Sequence, residues 1–142
     1  MKMLLTKRFT FEMAHALPDY NGKCSNIHGH SYHFEITVEG EPMKAPGTSE
    51  NGMVIDFGRI KDVVNGTIIA VFDHALVLPR TGENAVNLEP YSAKLILVDF
   101  QPTTENLLIH FSQLLQPKFQ GEAKIHSLRL SETETSTAEL IL

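Results

Sequence analysis

The sequence lacks the features that mark secreted and membrane proteins. It contains a single cysteine, which rules out an internal disulfide. The N-terminal stretch MKMLLTKRFTFEM has too short an apolar run for a signal peptide, and no segment approaches the length of a membrane span. We therefore expect a cytoplasmic protein without a membrane-spanning segment.

Positive charge is also scarce. Twelve lysines and arginines stand against seventeen acidic residues, which gives a formal net charge of −5 at pH 7. This balance argues against a dedicated surface for nucleic acid or for an anionic membrane, so a small anionic substrate would need a local basic pocket. Repeats, linkers and low-complexity segments are absent as well. The 142 residues suit one domain, 1–142, whose core needs neither a disulfide nor a structural metal.

Hydrophobic alternation predicts two strands in the first 40 residues, and each carries histidine on its apolar side. The first runs from Phe9 and ends at His15. The second starts with histidines, after an irregular stretch rich in turn-forming residues. Its apolar side consists of His28, His30, Tyr32, Phe34, Ile36 and Val38.

Two helices are predicted further along the chain. Asp56 is the expected N-cap of the first, and Thr103 or Thr104 that of the second, which follows Pro102. The apolar stripe of the first helix is Phe57, Ile60, Val64, Ile68 and Val71, and that of the second is Leu107, Leu108, Phe111, Leu114 and Leu115.

Short apolar runs predict the remaining strands. These are MVIDF before the first helix, ALVL and AKLILVDF between the helices, and two closing strands at about residues 124–131 and 137–142. The order β-β-α-β-β-α-β-β predicts an α+β fold in which helices cover one face of a mostly antiparallel sheet.

Three histidines on the first two strands form a candidate metal site. His28 and His30 are two residues apart, so both imidazoles leave the strand on the same side, and His15 can join them if the strands pair antiparallel. Three imidazoles leave zinc one open position, as in catalytic sites, although iron, nickel and copper also bind imidazole. The alternative is that each histidine is a hydrogen-bonded core residue.

The lone cysteine, Cys24, precedes these ligands in KCSNIHGHSYHF and allows three interpretations. As a fourth ligand it would close the site and make the metal structural. Beside the metal, its lowered pKa would let it act as a base or nucleophile. It could also be an inert buried thiol. Spacing alone does not choose between these.

Other polar residues are candidates for proton transfer and ligand binding. Asp73 and His74 are adjacent and can form a proton relay, or they can be a helix-end histidine beside a solvated carboxylate. Glu132 lies on the apolar side of its strand, where it could bind paired N–H groups of a ligand or simply reach solvent. Glu105 is most simply a first-turn helix acid.

Six ordered motifs give the sequence a resemblance to one enzyme family. FTFEMAH, CSNIHGHSY, GMVIDF, FDHALVL, PTTENL and LSETETSTAEL occur in the order that resembles the 6-pyruvoyltetrahydropterin synthase / 6-carboxytetrahydropterin synthase family, over essentially the whole chain. The resemblance implies the tunnelling fold: an antiparallel four-stranded sheet plus an extra hairpin, with two helices on one face. Subunits of this fold join their sheets into an oligomeric barrel, usually a homohexamer with active sites between subunits.

The resemblance also implies roles for individual residues. Those that match the zinc ligands are His15, His28 and His30, those that match the catalytic residues are Cys24, Asp73 and His74, and those that match the substrate-binding segment are Glu132, Thr103 and Thr104. One zinc ion per subunit would bind, with the cysteine as proton shuttle rather than ligand. The Asp-His relay would serve a neighbouring subunit, and the glutamate would anchor the pterin.

The family substrate is 7,8-dihydroneopterin triphosphate, and the spacing around Cys24 bears on the product. A three-residue gap before HGH is similar to the bacterial 6-carboxy enzymes, which release acetaldehyde and triphosphate on the route to queuosine, whereas animal pyruvoyl enzymes have a longer gap. The resemblance therefore favours a 6-carboxytetrahydropterin synthase. A 6-pyruvoyltetrahydropterin synthase, which only eliminates triphosphate, and a non-catalytic pterin-binding module are the alternatives.

The sequence departs from the family pattern at three places. Met13 stands where small residues are usual, and ALVL follows Asp73 and His74 without the asparagine often seen there. Residues 80–98 form a longer hairpin-like insertion than in the smallest members. These departures concern the substrate side of the site more than the metal.

Overall fold

The computed structural model describes residues 1–80, 88 and 90–142 of the chain. Six strands form a sheet in the order β4-β3-β1-β2-β5-β6. The strands are β1 (Met3–His15), β2 (His28–Gly40), β3 (Ala75–Pro79), β4 (Leu95–Val98), β5 (Lys124–Ser131) and β6 (Thr137–Ile141). The helices are α1 (Phe57–Val64), α2 (Ala70–Phe72) and α3 (Thr104–Phe119), with a π-helical stretch, Asn65–Ile69, joining the first two. Within the described ranges, no helix is long and apolar enough to cross a membrane.

The predicted alternation determines which face of the sheet is buried. β1 and β2 pair antiparallel over their whole length, and Phe11 lies opposite Tyr32. The Tyr32, Phe34 and Ile36 side chains have no exposed surface. Burying each large apolar side chain stabilises the fold by about 1.5–3 kcal/mol, and a one-residue slip would turn all of them outward. The core thus holds the register that also places the histidines.

The first helical segment begins as predicted, but the residues that form its buried face change after the π-helical stretch. The Asp56 carboxylate caps it by accepting the Gly58 N–H. The π-helical stretch then holds more residues per turn than an α-helix, so the buried stripe shifts along the sequence. Phe72 is 1% exposed in place of the predicted Val71, which is 41% exposed. Phe57, also predicted to be apolar and inward, is 48% exposed in the first turn.

The second predicted helix, α3, follows the sequence pattern closely. The Thr103 side chain caps it by accepting the Asn106 N–H at 3.3 Å. The Asn106 side-chain amide donates to the Gln101 carbonyl at 2.9 Å, which fixes the loop before the helix. Its buried residues are Leu107, Leu108, Phe111, Ser112, Leu115 and Phe119.

Two predictions about the sheet are wrong. The MVIDF segment is not a strand. The Met43 and Met53 backbones are hydrogen-bonded to each other inside the loop, and the Val54 and Ile55 side chains pack into the core. The hairpin-like insertion predicted over residues 80–98 does not place β4 in an antiparallel pair among the described residues: β4 pairs parallel with β3, and β3 is also parallel to β1. A parallel pair needs a crossover of roughly a dozen residues or more, and residues 80–94 supply that length. Positions 81–87 and 89 of the predicted insertion lie outside the described residues.

The other strands pair antiparallel, β1 with β2, β2 with β5, and β5 with β6. The fold is therefore α+β with a mixed sheet, in which helices cover the apolar face. The end of β1, the start of β2 and the turn between β5 and β6 lie at the same end of the sheet. The candidate residues of the site come from these segments and from the loop before α3.

Candidate functional site

The three predicted histidine ligands converge at the end of the sheet. The β1–β2 register places His15 opposite His28 and Met13 opposite His30, so all three imidazoles project from one face. One ring nitrogen from each lies within 4.8 Å of the other two. Such a group can hold one metal ion.

Hydrogen bonds to two backbone carbonyls determine which ring nitrogens are free. His15 Nδ1 lies 2.7 Å from the Pro102 carbonyl oxygen, and His28 Nδ1 lies 2.7 Å from that of Asn26. Carbonyls only accept, so both Nδ1 atoms must carry the hydrogen, and in a neutral ring Nε2 is then a bare lone pair. Each Nε2 is therefore available as a metal ligand.

These two bare nitrogens face each other. His15 Nε2 and His28 Nε2 are 3.1 Å apart, a contact in which the two lone pairs of neutral rings repel unless a proton or a metal ion lies between them. Two nitrogens bound to one tetrahedral zinc at about 2.0–2.1 Å are separated by roughly 3.3 Å. The observed pair is therefore set close to the spacing that a shared metal requires.

The third predicted ligand, His30, also has a ring nitrogen to which no described residue donates a hydrogen bond. His30 Nε2 is buried and has no hydrogen-bond partner among the described residues. Burial lowers the pKa of both His15 and His30, which favours the neutral imidazole that binds metals. An orphaned buried nitrogen beside two opposed lone pairs fits a transition metal better than three hydrogen-bonded core histidines.

Cys24 lies beside the triad but outside it. It is partly buried on a single 3-10 turn, Lys23–Ser25, and in the described part of the chain it does not join the ligand atoms that lie within 4.8 Å of one another. Its turn lines a groove of about 370 Å³, whose polar walls include Thr103, Thr104, Glu105, Glu132 and Thr137. The structure thus brings the thiol together with all three predicted substrate-binding residues.

Glu132 connects this groove to the triad. Its Oε1 lies 3.8 Å from His15 Nε2, and its backbone N–H bonds the Ser136 carbonyl in the turn between β5 and β6. The side chain is 26% exposed, so the carboxylate faces the groove rather than the core. A carboxylate in this position can accept two parallel N–H groups from a flat ligand.

Asp73 and His74 lie together but away from the groove. Asp73 Oδ1 accepts the Glu12 N–H at 2.9 Å and lies 3.0 Å from His74 Nδ1. The Glu12 amide, followed by the His74 side chain, lowers the Asp73 pKa. His74 is 77% exposed and lines a second groove with Glu12, Ser31 and His30. The Glu12 and Ser31 side chains alternate with the histidine ligands and lie on the opposite sheet face. In the described part of the chain, neither residue of this pair lines the groove of Cys24.

Several residues of the site were not predicted from the sequence. Tyr32 is fully buried with its ring edge-on to those of His15 and His30, at centroid distances of 6.1 and 5.4 Å. Its place on the histidine side of β2 was the available signal. Glu105, interpreted as a helix acid, also lines the groove, while the carbonyls of Pro102 and Asn26 carry no sequence signal at all.

Comparisons with known proteins show which family the chain resembles. The family model described as 6-pyruvoyl tetrahydropterin synthase matches residues 4–141. A Haemophilus influenzae protein named 6-carboxy-5,6,7,8-tetrahydropterin synthase is 34% identical over 95% of this chain and 96% of its own. The protein of that name from Aquifex aeolicus is 33% identical over 98% of both chains.

Solved structures match the fold as well. An uncharacterized protein from Wolinella succinogenes aligns with a TM-score of 0.80 at 20% identity, covering 99% of this chain and 98% of its own. The 6-pyruvoyl tetrahydropterin synthase of Plasmodium falciparum gives 0.72 at 23% identity, covering 98% and 96%. The family match and the identity to the curated relatives extend over nearly the whole chain, so the chain belongs to the 6-pyruvoyl tetrahydropterin synthase family of enzymes.

Proposed function

We propose that this chain is a zinc-dependent lyase that converts 7,8-dihydroneopterin triphosphate and water to 6-carboxy-5,6,7,8-tetrahydropterin, acetaldehyde and triphosphate. The observation that carries the proposal is its identity of about a third, over almost its full length, to relatives named for that product. The three-histidine cluster beside a groove that contains a thiol supports the same chemistry.

The proposed metal ligands are His15, His28 and His30, each through Nε2. When bound, zinc would act as a Lewis acid toward the hydroxyl groups of the substrate side chain. The chain's part would be to hold three neutral imidazoles in place, two of them through backbone carbonyls, without a fourth protein ligand among the described residues. One ion would bind per subunit.

The charges of the groove favour the pterin base as its occupant. Its described lining includes Glu105 and Glu132 but neither lysine nor arginine, so a triphosphate would be repelled there. A pterin presents an amino group and a ring N–H side by side, and we assign the Glu132 carboxylate as their acceptor. Thr103 and Thr104 would line the edge of the ring, and the triphosphate would extend outward.

Cys24 is the proposed proton-transfer group of the groove, taking and returning protons through Sγ at the substrate side chain. Asp73 would orient His74 through the contact between Oδ1 and Nδ1, which leaves the exposed Nε2 to exchange a proton. Because these two residues open on the other side of the sheet, we propose that they act at the Cys24 of a neighbouring subunit. This arrangement supports a homo-oligomer, for which we propose a hexamer.

Identifying the product from the natural triphosphate tests the proposal. We expect acetaldehyde and 6-carboxytetrahydropterin in equal amounts, with activity lost when zinc is removed and restored when it is returned. Triphosphate release without acetaldehyde would instead identify a pyruvoyl synthase, the activity after which the family model is described. Binding of dihydropterins without turnover would identify a non-catalytic module. We further propose that the chain is a single domain that acts in the cytoplasm, in queuosine biosynthesis.

A further inference from the structure

One asparagine contacts both the metal ligands and the turn that carries Cys24. The carbonyl oxygen of Asn26 lies 2.7 Å from His28 Nδ1. The same residue donates twice to the Lys23 carbonyl, from its backbone N–H at 3.2 Å and from its side-chain Nδ2 at 3.1 Å. Asn26 therefore donates two hydrogen bonds to Lys23, while its own backbone carbonyl oxygen accepts one from His28, a proposed metal ligand.

The segment that Asn26 closes is the one that places the thiol. The Cys24 carbonyl accepts the Leu17 N–H at 2.9 Å, which ties the turn to the end of the first strand. Ser25 makes the equivalent contact one residue earlier in the turn, where its hydroxyl donates to the Gly22 carbonyl at 2.8 Å. Hydrogen bonds of the residues before and after it therefore hold Cys24 in place. A shift of Asn26 would break the hydrogen bonds to Lys23 that close this turn.

We propose that Asn26 is a positioning residue that joins metal binding to the placement of Cys24. Its carbonyl fixes the Nδ1–H tautomer and the ring direction of His28, and its side-chain amide keeps the Cys24 turn closed. Metal bound to His28 then restrains the turn that carries Cys24. Conversely, the closed turn raises the affinity of the site for the metal. This inference rests on the proposed metal site but goes beyond it, because it assigns the coupling to one exposed side chain.

The side-chain amide is the part that a substitution can remove. Asn26→Ala keeps the backbone carbonyl but leaves the turn with one donor to Lys23, so the carbonyl is no longer held at a fixed angle to His28. Loss of an outer-shell partner of a metal ligand typically lowers metal affinity by about 10–100-fold. Since the carbonyl itself remains, we expect a loss near the lower end, about tenfold.

A matched control and a rescue variant isolate this effect. Asn51 closes another loop, 45–51, by accepting the Ala45 N–H through its side chain at 2.9 Å, away from the candidate site. Asn51→Ala should therefore leave zinc affinity unchanged. Asn26→Ser should restore it to within about twofold, because a serine hydroxyl can donate to the carbonyl three residues earlier, as Ser25 does here.

Two measurements on the full-length protein test the coupling. Zinc affinity is measured by competition with a chromogenic chelator, and amide hydrogen exchange of residues 17–27 is measured with and without zinc. In the wild type and in Asn51→Ala, zinc should slow exchange in this segment. In Asn26→Ala, zinc should bind about tenfold more weakly and slow exchange less, while the metal-free protein unfolds at the wild-type temperature.

The outcomes separate the inference from the proposed function. A wild type that fails to bind zinc would remove the proposed metal site and the inference together. Normal wild-type binding with an unchanged Asn26→Ala would overturn the inference alone. Failure of Asn26→Ser to restore affinity, or equal damage from Asn51→Ala, would also overturn it, because either result would indicate a general loss of loop structure.

Discussion

Replacing His28 with alanine should change stability by an amount that depends on zinc. With zinc bound, the variant loses one of three ligands and therefore most of the stabilisation that the metal provides. Ligand binding stabilises a native state by about 4 kcal/mol when the free ligand is a thousandfold above its dissociation constant. For a chain of this length, each kcal/mol shifts the melting temperature by roughly 3 °C, so the expected loss is about 12 °C.

Without zinc, the same substitution should cost almost nothing. It removes the His28 hydrogen bond to Asn26, worth about 1 kcal/mol, but also the contact in which two bare nitrogens face each other at 3.1 Å. The two effects oppose each other. We therefore expect metal-free His28→Ala to melt within a few degrees of the metal-free wild type.

Thermal unfolding followed by circular dichroism, in excess zinc and in excess chelator, measures both differences. His33→Ala is the matched control, because His33 lies on the same strand but is exposed on the opposite face. It should not change the response to zinc. If His28→Ala lost as much stability in chelator as in zinc, His28 would be a core residue, and the metal assignment would be wrong.

The remaining predictions concern the groove and the relay. Cys24→Ala should keep nearly full zinc content by elemental analysis while losing at least about a hundredfold in kcat, and loss of the metal would make the thiol a ligand. Glu132→Gln should raise the KM for the pterin about tenfold or more at unchanged zinc content, because the amide loses the charge that accepts paired N–H groups. Asp73→Asn should destabilise the protein near pH 7, and the difference should shrink as pH falls below about 4, because the folded-state pKa of this carboxyl lies below its unfolded value. A difference that persists in acid, measured by urea unfolding, would contradict that cause.

Much of this site could be predicted because one periodicity places both the core and the ligands. The alternation that buries Tyr32 and Phe34 also puts His28 and His30 on the same face, and the register follows from matching this face to that of the first strand. The helix caps at Asp56 and Thr103 were equally readable, since each side chain accepts a nearby backbone N–H.

The unpredicted parts depend on interactions that periodicity does not encode. Short apolar runs predict that β3 and β4 are strands but do not encode the direction in which they pair, so the sequence does not predict the parallel pair. The π-helical stretch displaced Val71 from the core through a change in backbone winding. The carbonyls of Asn26 and Pro102 act through backbone geometry, which any residue type could supply.

The placement of Asp73 and His74 bears most directly on how the proposed reaction would be completed. Cys24 and Glu132 line the groove beside the loop before α3, whereas His74 lines a separate groove together with Glu12, Ser31 and the ligand His30. Proton transfer requires contact at hydrogen-bond distance, directly or through one water. Among the described residues, no groove is lined by both His74 and Cys24. If both groups act in one reaction, the proposed arrangement has a second copy supply one of them, and activity should then depend on assembly.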